Sequence, residues 1–431
     1  MHAVVFVGPE TLEEQPNAPL VALCRVGGLS LLNRTLRLLL RAGASHLYVL
    51  APPDARIQSA LDHDAQLTVP ITVLNHQVAT AQATSALREH AHMLPERFWL
   101  CAADRFFSNH CFPATAWEHS HPLQVCAEGE DTGVLLINQT ALEQLPHQGK
   151  PLSAIASLLP CATLAIPHCL SIAISTQQDV RHAKDALRRS LRKPLAREAD
   201  GLVAYFINRP ISLSLSRYLV DTPITPNHIT TLGLLIGLSA AFFAAQATPL
   251  YLAVAGLALQ ISSIVDGIDG ELARMRLTPS HLGEWFDTVC DDVVNIAFLI
   301  GISIAAGART GIAAFPWVGG IGAACVALTV LLFYRDFLRL GIASHNHYRW
   351  GFEAPKNQNK KRHWAGTVAV AFSWAAKRDF YTFLLMVVLF LDAPVIAFAI
   401  IFTGSSLIVI GSAIQRVVNL VKGQQATADF S

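Results

Sequence analysis

Apolar and polar residues follow two different patterns along the chain, and the pattern changes near residue 200. In the first half, short apolar runs of strand length alternate with segments whose apolar residues recur at helical spacing. Such alternation predicts a Rossmann-type three-layer α/β domain with a mainly parallel sheet. The predicted strands are Ala3–Val7, His46–Leu50, Ile71–Leu74, Phe98–Ala102 and Gly133–Ile137, and the predicted helices are Leu31–Arg41, Thr80–His92 and Asp179–Leu191.

The second half consists mainly of apolar segments that are long enough to cross a bilayer. A spanning helix needs about 20 predominantly apolar residues. About six such segments predict an α-helical membrane domain. They are Ile229–Ala247, Tyr251–Ala273, Trp285–Ala306, Ala313–Phe333, Phe380–Leu391 with its flanks, and Val395–Ile414.

The two patterns divide the chain into three predicted segments. Residues 1–195 form the α/β domain, residues 196–228 a juxtamembrane linker, and residues 229–431 the membrane domain. From Arg188 to Arg217, around this linker, basic and apolar residues mix at helical spacing. This mixture is typical of a helix that lies along the inner leaflet and contacts anionic headgroups. An ordinary amphipathic linker helix is the alternative.

Basic residues are concentrated in one link between the predicted spans. Segment 335–378 is rich in Lys and Arg, whereas the other links are short and carry little charge beyond Arg309 and Asp392. Positively charged links tend to stay in the cytoplasm. We therefore expect an inner-membrane protein with this segment, both termini and the α/β domain on the cytoplasmic side.

Composition and cysteine usage limit the partners and the redox state. A net charge of +1 argues against a nucleic-acid partner. The eight cysteines lack metal-binding spacing, so we expect reduced thiols in a cytoplasmic environment. The amino terminus resembles a β-strand and lacks the charged n-region of a signal peptide.

Four aspartates interrupt two of the predicted spans. Asp266 and Asp269 are three residues apart, and Asp287 and Asp291 are four apart, so each pair shares one face of its helix. Carboxylates at membrane depth are costly unless they face a polar cavity, a partner or a metal. Their convergence predicts a site for one or two hard divalent cations. Buried ion pairs, or the cation path of a transporter, are the alternatives.

These aspartates are part of a longer pattern that resembles the full signature of the CDP-alcohol phosphatidyltransferase family. The pattern reads Asp266-x-x-Asp269-Gly270-x-x-Ala273-Arg274, then eight residues, then Gly283-x-x-x-Asp287-x-x-x-Asp291. The resemblance implies a membrane phosphotransferase of phospholipid or polyol-phosphodiester synthesis. Such an enzyme moves a substituted phosphate from a CDP-alcohol to an acceptor alcohol and releases CMP. It also implies a homodimer. A membrane cation transporter or a scaffold is the alternative of another class.

The resemblance also implies a metal centre and a base. The metal would be Mg²⁺ or Mn²⁺, as two ions, because bridging cations neutralise the charge on a diphosphate leaving group. Asp266, Asp269 and Asp287 would hold these ions. Asp291 would take the proton of the acceptor hydroxyl, or share in binding the metal.

Further residues are candidates for substrate contacts. The resemblance places against the CDP-alcohol Gly270, Ala273, Arg274, Gly283 and Asn227. Arg335 and Arg378 are candidates for the phosphate of a phosphorylated acceptor. Helix capping is the alternative role for Asn227, and membrane anchoring is the alternative for the two arginines.

The layout of the whole chain resembles the bifunctional inositol-1-phosphate cytidylyltransferase/di-myo-inositol-phosphate-phosphate synthase family. The resemblance implies a nucleotidyltransferase-like first domain, which needs a basic glycine-rich loop and two aspartates for magnesium. Here the loop reads Gly8-Pro-Glu10, and the position of the lysine that follows the loop in such domains falls on Val21. Asp104 is a candidate for the first magnesium ligand, but the position of the second falls on Ser175. We therefore expect a degenerate, inactive domain. A bifunctional enzyme that makes and uses CDP-inositol is the alternative.

Overall fold

The structure, a computed structural model, describes residues 1–12, 19–119, 121–127, 130–146, 148–191, 201–345 and 378–422. The chain groups into two compact units. The first comprises Met1–Leu191 and the short segment Met275–Thr278, and the second comprises Arg192–Arg274 and Pro279–Ser431. The predicted boundaries at residues 195 and 228 remain predictions, and residues 192–200 of the linker region lie outside the described ranges.

A seven-stranded sheet forms the centre of the first unit, in the order β10-β8-β9-β6-β1-β4-β5. Strand β1 is parallel to β4 and β6, and β4 is parallel to β5, whereas β9 is antiparallel to β6 and β8. The strands are β1 (His2–Phe6), β4 (His46–Ala51), β5 (Ile71–Asn75), β6 (Arg97–Ala102), β8 (Leu123–Ala127), β9 (Glu130–Asn138) and β10 (Ala162–Ala165). Shorter pairs are β2 (Arg25–Val26) with β3 (Leu29–Ser30) and β7 (Arg105–Phe107) with β11 (Ser171–Ala173).

Both faces of this sheet are buried. Successive residues of β1 point to opposite sides, so Val5 belongs to one apolar core and Phe6 to the other. Helices cover the two faces, which confirms the three-layer α/β prediction. The helices are α1 (Leu31–Arg41), α2 (Ala55–Asp62), α3 (Ala83–Glu89), α4 (Gln139–Glu143), α5 (Ile155–Leu158) and α6 (Gln177–Leu191).

The expectation of reduced thiols throughout is wrong for one pair of cysteines. Cys111 and Cys169 form a disulfide, with their Cα atoms 5.1 Å apart. The reason is topological. Strand β11 pairs with β7, which brings the segment before β11 next to the segment after β7. Because the two cysteines are separated by 58 residues, their spacing gave no sign of this contact.

The second unit is a bundle of long apolar helices. Within the described ranges, five of them are long and apolar enough to cross a membrane. The helices are α7 (Arg209–Leu219), α8 (Pro226–Ala245), α9 (Pro249–Met275), α10 (His281–Thr310), α11 (Ala314–Leu340), α12 (Arg378–Phe390) and α13 (Pro394–Lys422), with a π-helical turn, Ala204–Asn208, before α7. These helices confirm a multi-pass membrane domain. The predicted fifth span coincides with α12, and its preceding flank lies outside the described residues.

Small residues bring α8 and α10 into close contact. A Cβ atom on Gly237 of α8 would lie 2.5 Å from the side chain of Val294 on α10. One on Gly301 of α10 would lie 2.3 Å from the Ala241 carbonyl oxygen of α8. Glycine is needed where helix backbones approach this closely in a membrane bundle. These contacts hold the middle of α10 beside α8.

Candidate active site

Two adjacent helices carry the four predicted aspartates. Asp266 and Asp269 lie in the last three turns of α9, and Asp287 and Asp291 lie near the start of α10. Helix α10 begins after Ser280, whose Oγ accepts a hydrogen bond of 3.0 Å from the Gly283 amide. This cap fixes the first turn of α10. Asp266, Asp287 and Asp291 line the same small pocket.

Three of the four carboxylates converge. One oxygen each from Asp266, Asp287 and Asp291 lies within 4.8 Å of the other two. Asp287 Oδ1 is buried and has no hydrogen-bond partner among the described residues. Buried carboxylate oxygens are normally paired or bound to a cation. This donor set fits a hard divalent cation, which prefers oxygen ligands.

Asp269 lies beside this group and is held by α8. The Thr230 hydroxyl donates a hydrogen bond of 2.5 Å to Asp269 Oδ2, and both residues are buried. The Gly270 amide also donates to Asp269 Oδ1. The carboxylate is therefore oriented by one hydroxyl and one backbone group. An oriented carboxylate of this kind is typical of a metal ligand or of a group that supports one.

The guanidinium of Arg378, at the start of α12, lies among the aspartates. Its Nη1 atom is 3.1 Å from Asp266 Oδ1 and also contacts Asp291 Oδ2. One turn further along α12, the Tyr381 hydroxyl donates a hydrogen bond of 3.0 Å to Asn295 Oδ1 of α10. These contacts place α12 against the face of α10 that carries the aspartates.

The other signature residues lie around the same pair of helices. A Cβ atom on Gly270 would lie 3.3 Å from the guanidinium nitrogens of Arg274, so the arginine lies over that glycine. A Cβ atom on Gly283 would lie 3.6 Å from Asn227 Oδ1. Helix α8 is capped by Thr225, and Asn227 is exposed in its first turn. Ala273 is half-buried. Their predicted contacts with the CDP-alcohol remain predictions.

Two charged residues lie away from the pocket. Arg335 is exposed on α11, 3.4 Å from Asp336, and is not among the described residues that line the pocket. Asp292 accepts hydrogen bonds from the Tyr334 hydroxyl and, at 3.2 Å, from His345. As its position on the helix predicts, it points away from the other aspartates. The role of Arg335 in acceptor binding remains a prediction.

Several residues at the site have no counterpart in the sequence prediction. Thr230 lies near the start of α8, and nothing in the sequence pattern indicated that it contacts Asp269. Glu271 lies inside the signature and is fully buried. An acidic residue inside a predicted membrane helix often has a functional role, and this signal could have pointed to Glu271. Asp379 follows Arg378 and accepts a hydrogen bond from the Ala204 amide.

In the first unit, a carboxylate lies where a phosphate loop would lie. The Thr80 amide donates a hydrogen bond of 2.7 Å to Glu10 Oε1, and the Thr80 hydroxyl donates to Oε2. A Cβ atom on Gly8 would lie 1.9 Å from Glu10 Oε2, so the carboxylate lies directly against the loop backbone. A negative charge in this position repels a triphosphate.

The two predicted magnesium-ligand positions of the first unit carry Asp104 and Ser175 instead of two aspartates. Asp104 is bonded through its backbone to Ile174, which places Ser175 beside it. Burial raises the pKa of the Asp104 carboxyl, and its Oδ1 atom has no hydrogen-bond partner among the described residues. The Ser175 hydroxyl donates instead to Asp179, at 2.9 Å. A single carboxylate is a weak site for magnesium.

Fold and site together define a multi-pass membrane protein with a carboxylate centre on two adjacent helices. Residues 223–410 match the CDP-alcohol phosphatidyltransferase family. The match spans somewhat less than half of the chain. The family uses CDP-alcohol donors and alcohol acceptors, and it depends on divalent metal ions.

Relatives and solved structures are similar to different parts of the chain. A "bifunctional IPC transferase and DIPP synthase" of Aquifex aeolicus is 34% identical over 184 residues, 41% of this chain and 41% of that protein. The protein of the same description from Rubrobacter xylanophilus is 29% identical over 344 residues, 69% of this chain and 76% of that protein. The match therefore spans less than half the length of the Aquifex protein. The solved inositol-1-phosphate CTP transferase from T. maritima is similar to 43% of this chain and 95% of its own, at 12% identity and a TM-score of 0.35.

Proposed function

We propose that the membrane domain transfers a substituted phosphate from a CDP-alcohol to the hydroxyl of an acceptor alcohol, with release of CMP. The observation that carries this proposal is the convergence of Asp266, Asp287 and Asp291 in one pocket, within the complete family signature. A transporter would need acidic residues for an ion path, but not the glycines and Arg274 at these spacings.

Two Mg²⁺ or Mn²⁺ ions are the proposed cofactors, held by Asp266, Asp269, Asp287 and Asp291. When bound, they would neutralise negative charge on the diphosphate of the donor and on the departing CMP. Thr230 orients Asp269 for this task. Asp287 Oδ1 is buried without a hydrogen-bond partner among the described residues, and a bound cation would offset the cost of burying its charge.

Asp291 is the proposed base. It lies one turn beyond Asp287 on the same face of α10, close to the other proposed metal ligands. A base must come within hydrogen-bond reach of the hydroxyl that it deprotonates. Asp291 therefore holds the acceptor hydroxyl next to the phosphorus and takes its proton as the new ester bond forms. The bond that breaks joins that phosphorus to the CMP oxygen.

The two alcohols are proposed by chemical class. Arg378 in the pocket supports an acceptor that carries a phosphate, because a guanidinium pairs with phosphate oxygens in two parallel hydrogen bonds. The names of the Aquifex and Rubrobacter relatives support a polyol such as inositol phosphate. CDP-diacylglycerol, as in phospholipid synthesis, is the alternative donor.

The first domain is proposed to be catalytically inactive. Glu10 against the loop after β1, and Asp104 without a second aspartate, support this proposal. The alternative is a bifunctional enzyme that makes CDP-inositol and then uses it. Full-length protein incubated with CTP, Mg²⁺ and phosphorylated polyols separates the two. We expect no pyrophosphate above the level without enzyme, whereas steady pyrophosphate release would establish the bifunctional alternative.

The inner membrane is the proposed location, with the first domain, the aspartates and both termini on the cytoplasmic side. The basic residues of segment 335–378 support this orientation. Labelling of single introduced cysteines in intact cells tests it. A homodimer is proposed from the family resemblance alone.

A screen of donors and acceptors tests the proposed reaction. Purified full-length protein is incubated with CDP-diacylglycerol or CDP-inositol and a panel of alcohols and phospho-alcohols, and CMP and the phosphodiester product are identified by mass. We expect CMP release that requires Mg²⁺ or Mn²⁺ and stops with a chelator. If no donor yields metal-dependent CMP, the transporter or scaffold alternative is favoured.

A further inference from the structure

A row of polar residues lies along the back of the helix that carries the first two aspartates. Gln260, Ser263, Gly267 and Glu271 follow each other on α9 at intervals of three or four residues, so they share one face. Glu271 is about 200° around the helix from Asp269, on the opposite side. We call these four residues the α9 back face.

The α9 back face is bonded to α7 and to the π-helical turn before it. Gln260 Nε2 donates to Asn208 Oδ1 at 2.7 Å, and Asn208 Nδ2 donates to Ser263 Oγ at 3.3 Å. A Cβ atom on Gly267 would lie 3.4 Å from the Ser212 hydroxyl, so α9 and α7 are in direct contact here. Polar contacts between helices at membrane depth fix their register.

Glu271 carries the strongest of these contacts. It is fully buried, and the hydroxyls of Ser212 and Ser216 donate to its two carboxylate oxygens at 2.6 and 2.7 Å. Arg209 Nη1 lies 3.1 Å from Oε1. A buried ion pair contributes little to stability compared with an apolar contact, and its best-attested use is to specify one arrangement of helices. Three donors on one carboxylate define such an arrangement.

The other end of the same helical segment is bonded to α12. The Ala204 amide donates to Asp379 Oδ2 at 2.7 Å, and a Cβ atom on Gly201 would lie 2.3 Å from Asp379 Oδ1. Asp379 is adjacent to Arg378, whose guanidinium contacts the catalytic aspartates. The segment from Gly201 to Leu219 is thus bonded to α9 and α12, two of the helices whose side chains line the pocket.

The outer surface of this segment is apolar. Phe206 and Tyr218 are 64% and 65% exposed, and Ile211 and Leu215 are exposed between them. Apart from Arg217, the exposed residues of this segment are apolar, whereas the polar side chains that bond to α9 face the bundle. This is the reverse of a helix at the surface of a water-soluble protein. This orientation is favourable where the outer surface meets lipid. The polar contacts therefore serve the bundle and not the solvent.

We propose that the helical segment 201–219 is a positioning element of the catalytic centre, with Glu271 and Asp379 as its two points of attachment. It holds α9 and α12 at the separation at which Asp266 and Arg378 meet in the pocket. The expected effect of this segment on turnover rests on the proposed phosphotransfer. Its effect on cation affinity is independent of that proposal.

The test uses two serine-to-alanine changes that remove hydroxyls without adding bulk. In full-length protein with Ser212→Ala and Ser216→Ala together, we expect Mn²⁺, followed by electron paramagnetic resonance, to bind about tenfold more weakly, as for the loss of other groups that orient metal ligands. We expect kcat for CMP release to fall by a similar factor, with KM for the donor nearly unchanged. Ser239→Ala is the matched control, because the Ser239 hydroxyl donates to Ile236 O in its own helix.

The outcomes separate positioning from a merely structural role. Unchanged Mn²⁺ affinity and unchanged kcat in a variant that elutes like the wild type would overturn the inference. If the double variant does not elute like the wild type, Glu271→Gln takes its place, because it keeps the size of the side chain and one acceptor oxygen while it removes the charge and the second acceptor. If no CDP-alcohol is turned over, the proposed function fails, while the Mn²⁺ measurement still decides on positioning.

Discussion

Thr230 on α8 donates a hydrogen bond of 2.5 Å to Asp269 on α9, and this bond joins the opening of one membrane helix to the metal-binding face of the next. Asp269 is buried and is the only one of the four aspartates outside the group of three whose oxygens lie within 4.8 Å, among the residues that the structure describes. Its orientation therefore depends on Thr230 and on its own helix. The contact explains why the start of α8 belongs to the site.

Thr230→Val is expected to weaken cation binding without unfolding the protein. The change preserves shape but removes the hydroxyl that orients Asp269. Loss of such a supporting hydrogen bond typically lowers metal affinity by about 10- to 100-fold. Isothermal titration with Mn²⁺ measures the effect. Thr231→Val is the matched control, because its hydroxyl donates to Asn227 O within α8. Equal affinities in the two variants would refute the role of Thr230.

Arg378 is expected to compete with the cation for the aspartates. Its guanidinium is bonded to Asp266 and Asp291, so a cation that enters must displace a positive charge. Replacement by Gln removes this competition, and we expect Mn²⁺ to bind about tenfold more tightly in the absence of substrate. CMP release is expected to fall, because the acceptor loses its phosphate partner.

Equilibrium binding of Mn²⁺ and steady-state turnover are measured on the same preparations of Arg378→Gln. Arg309→Gln is the control. Arg309 pairs with Asp392 at an exposed position, where ion pairs contribute little. Weaker Mn²⁺ binding in Arg378→Gln than in the wild type would show that the guanidinium supports the cation site instead of competing with it.

Stability of the first domain is expected to depend on pH through Asp179. Hydrogen bonds from the backbone and hydroxyl groups of Ser175 and Thr176 lower the pKa of this carboxyl to about 2. Because the folded pKa lies below the unfolded one, the stabilisation is present in full above the unfolded value and is lost as the pH falls towards 2. The group is exposed, so we expect only about 0.5 kcal/mol.

Comparison of wild type with Asp179→Asn isolates this contribution. The variant is expected to melt at a lower temperature at pH 6, and the difference is expected to shrink as the pH approaches 3. Thermal unfolding of the full-length protein, followed by intrinsic fluorescence, measures both values. A difference that does not change with pH would mean that the asparagine affects packing and not ionisation.

Periodicity along the chain was sufficient for much of the fold. Helix α1 lies where the apolar spacing placed it, and all five predicted strands are present within two or three residues. Strand β10 was not predicted, because it is mostly exposed and has no apolar run. Of the predicted helix Thr80–His92, only Ala83–Glu89 is α-helical, with a 3₁₀ turn on either side. The local spacing of apolar residues predicts helices and strands. The pairing of β7 with β11 depends instead on contacts between residues that are far apart in the sequence.

The site was predictable only as far as the signature reaches. Helical spacing predicted that the aspartates of each pair share a face, and the structure brings three of the four within 4.8 Å. The contacts of Asp269 with Thr230, and of Glu271 with Ser212, join helices that no spacing rule connects. Buried polar partners of this kind are selected by tertiary packing, so a single sequence does not reveal them.

The most direct test of the central claim is metal-dependent CMP release by Asp287→Asn. Asp287 has a buried, unpaired carboxylate oxygen in the pocket, and Asn cannot supply the negative charge that a divalent cation needs. With a CDP-alcohol that the wild type uses, we expect turnover to fall by about three orders of magnitude while the protein still elutes as folded. Asp292→Asn, which alters a neighbouring carboxylate that faces Tyr334, is expected to stay within about threefold. Turnover by Asp287→Asn at the wild-type rate would contradict the account.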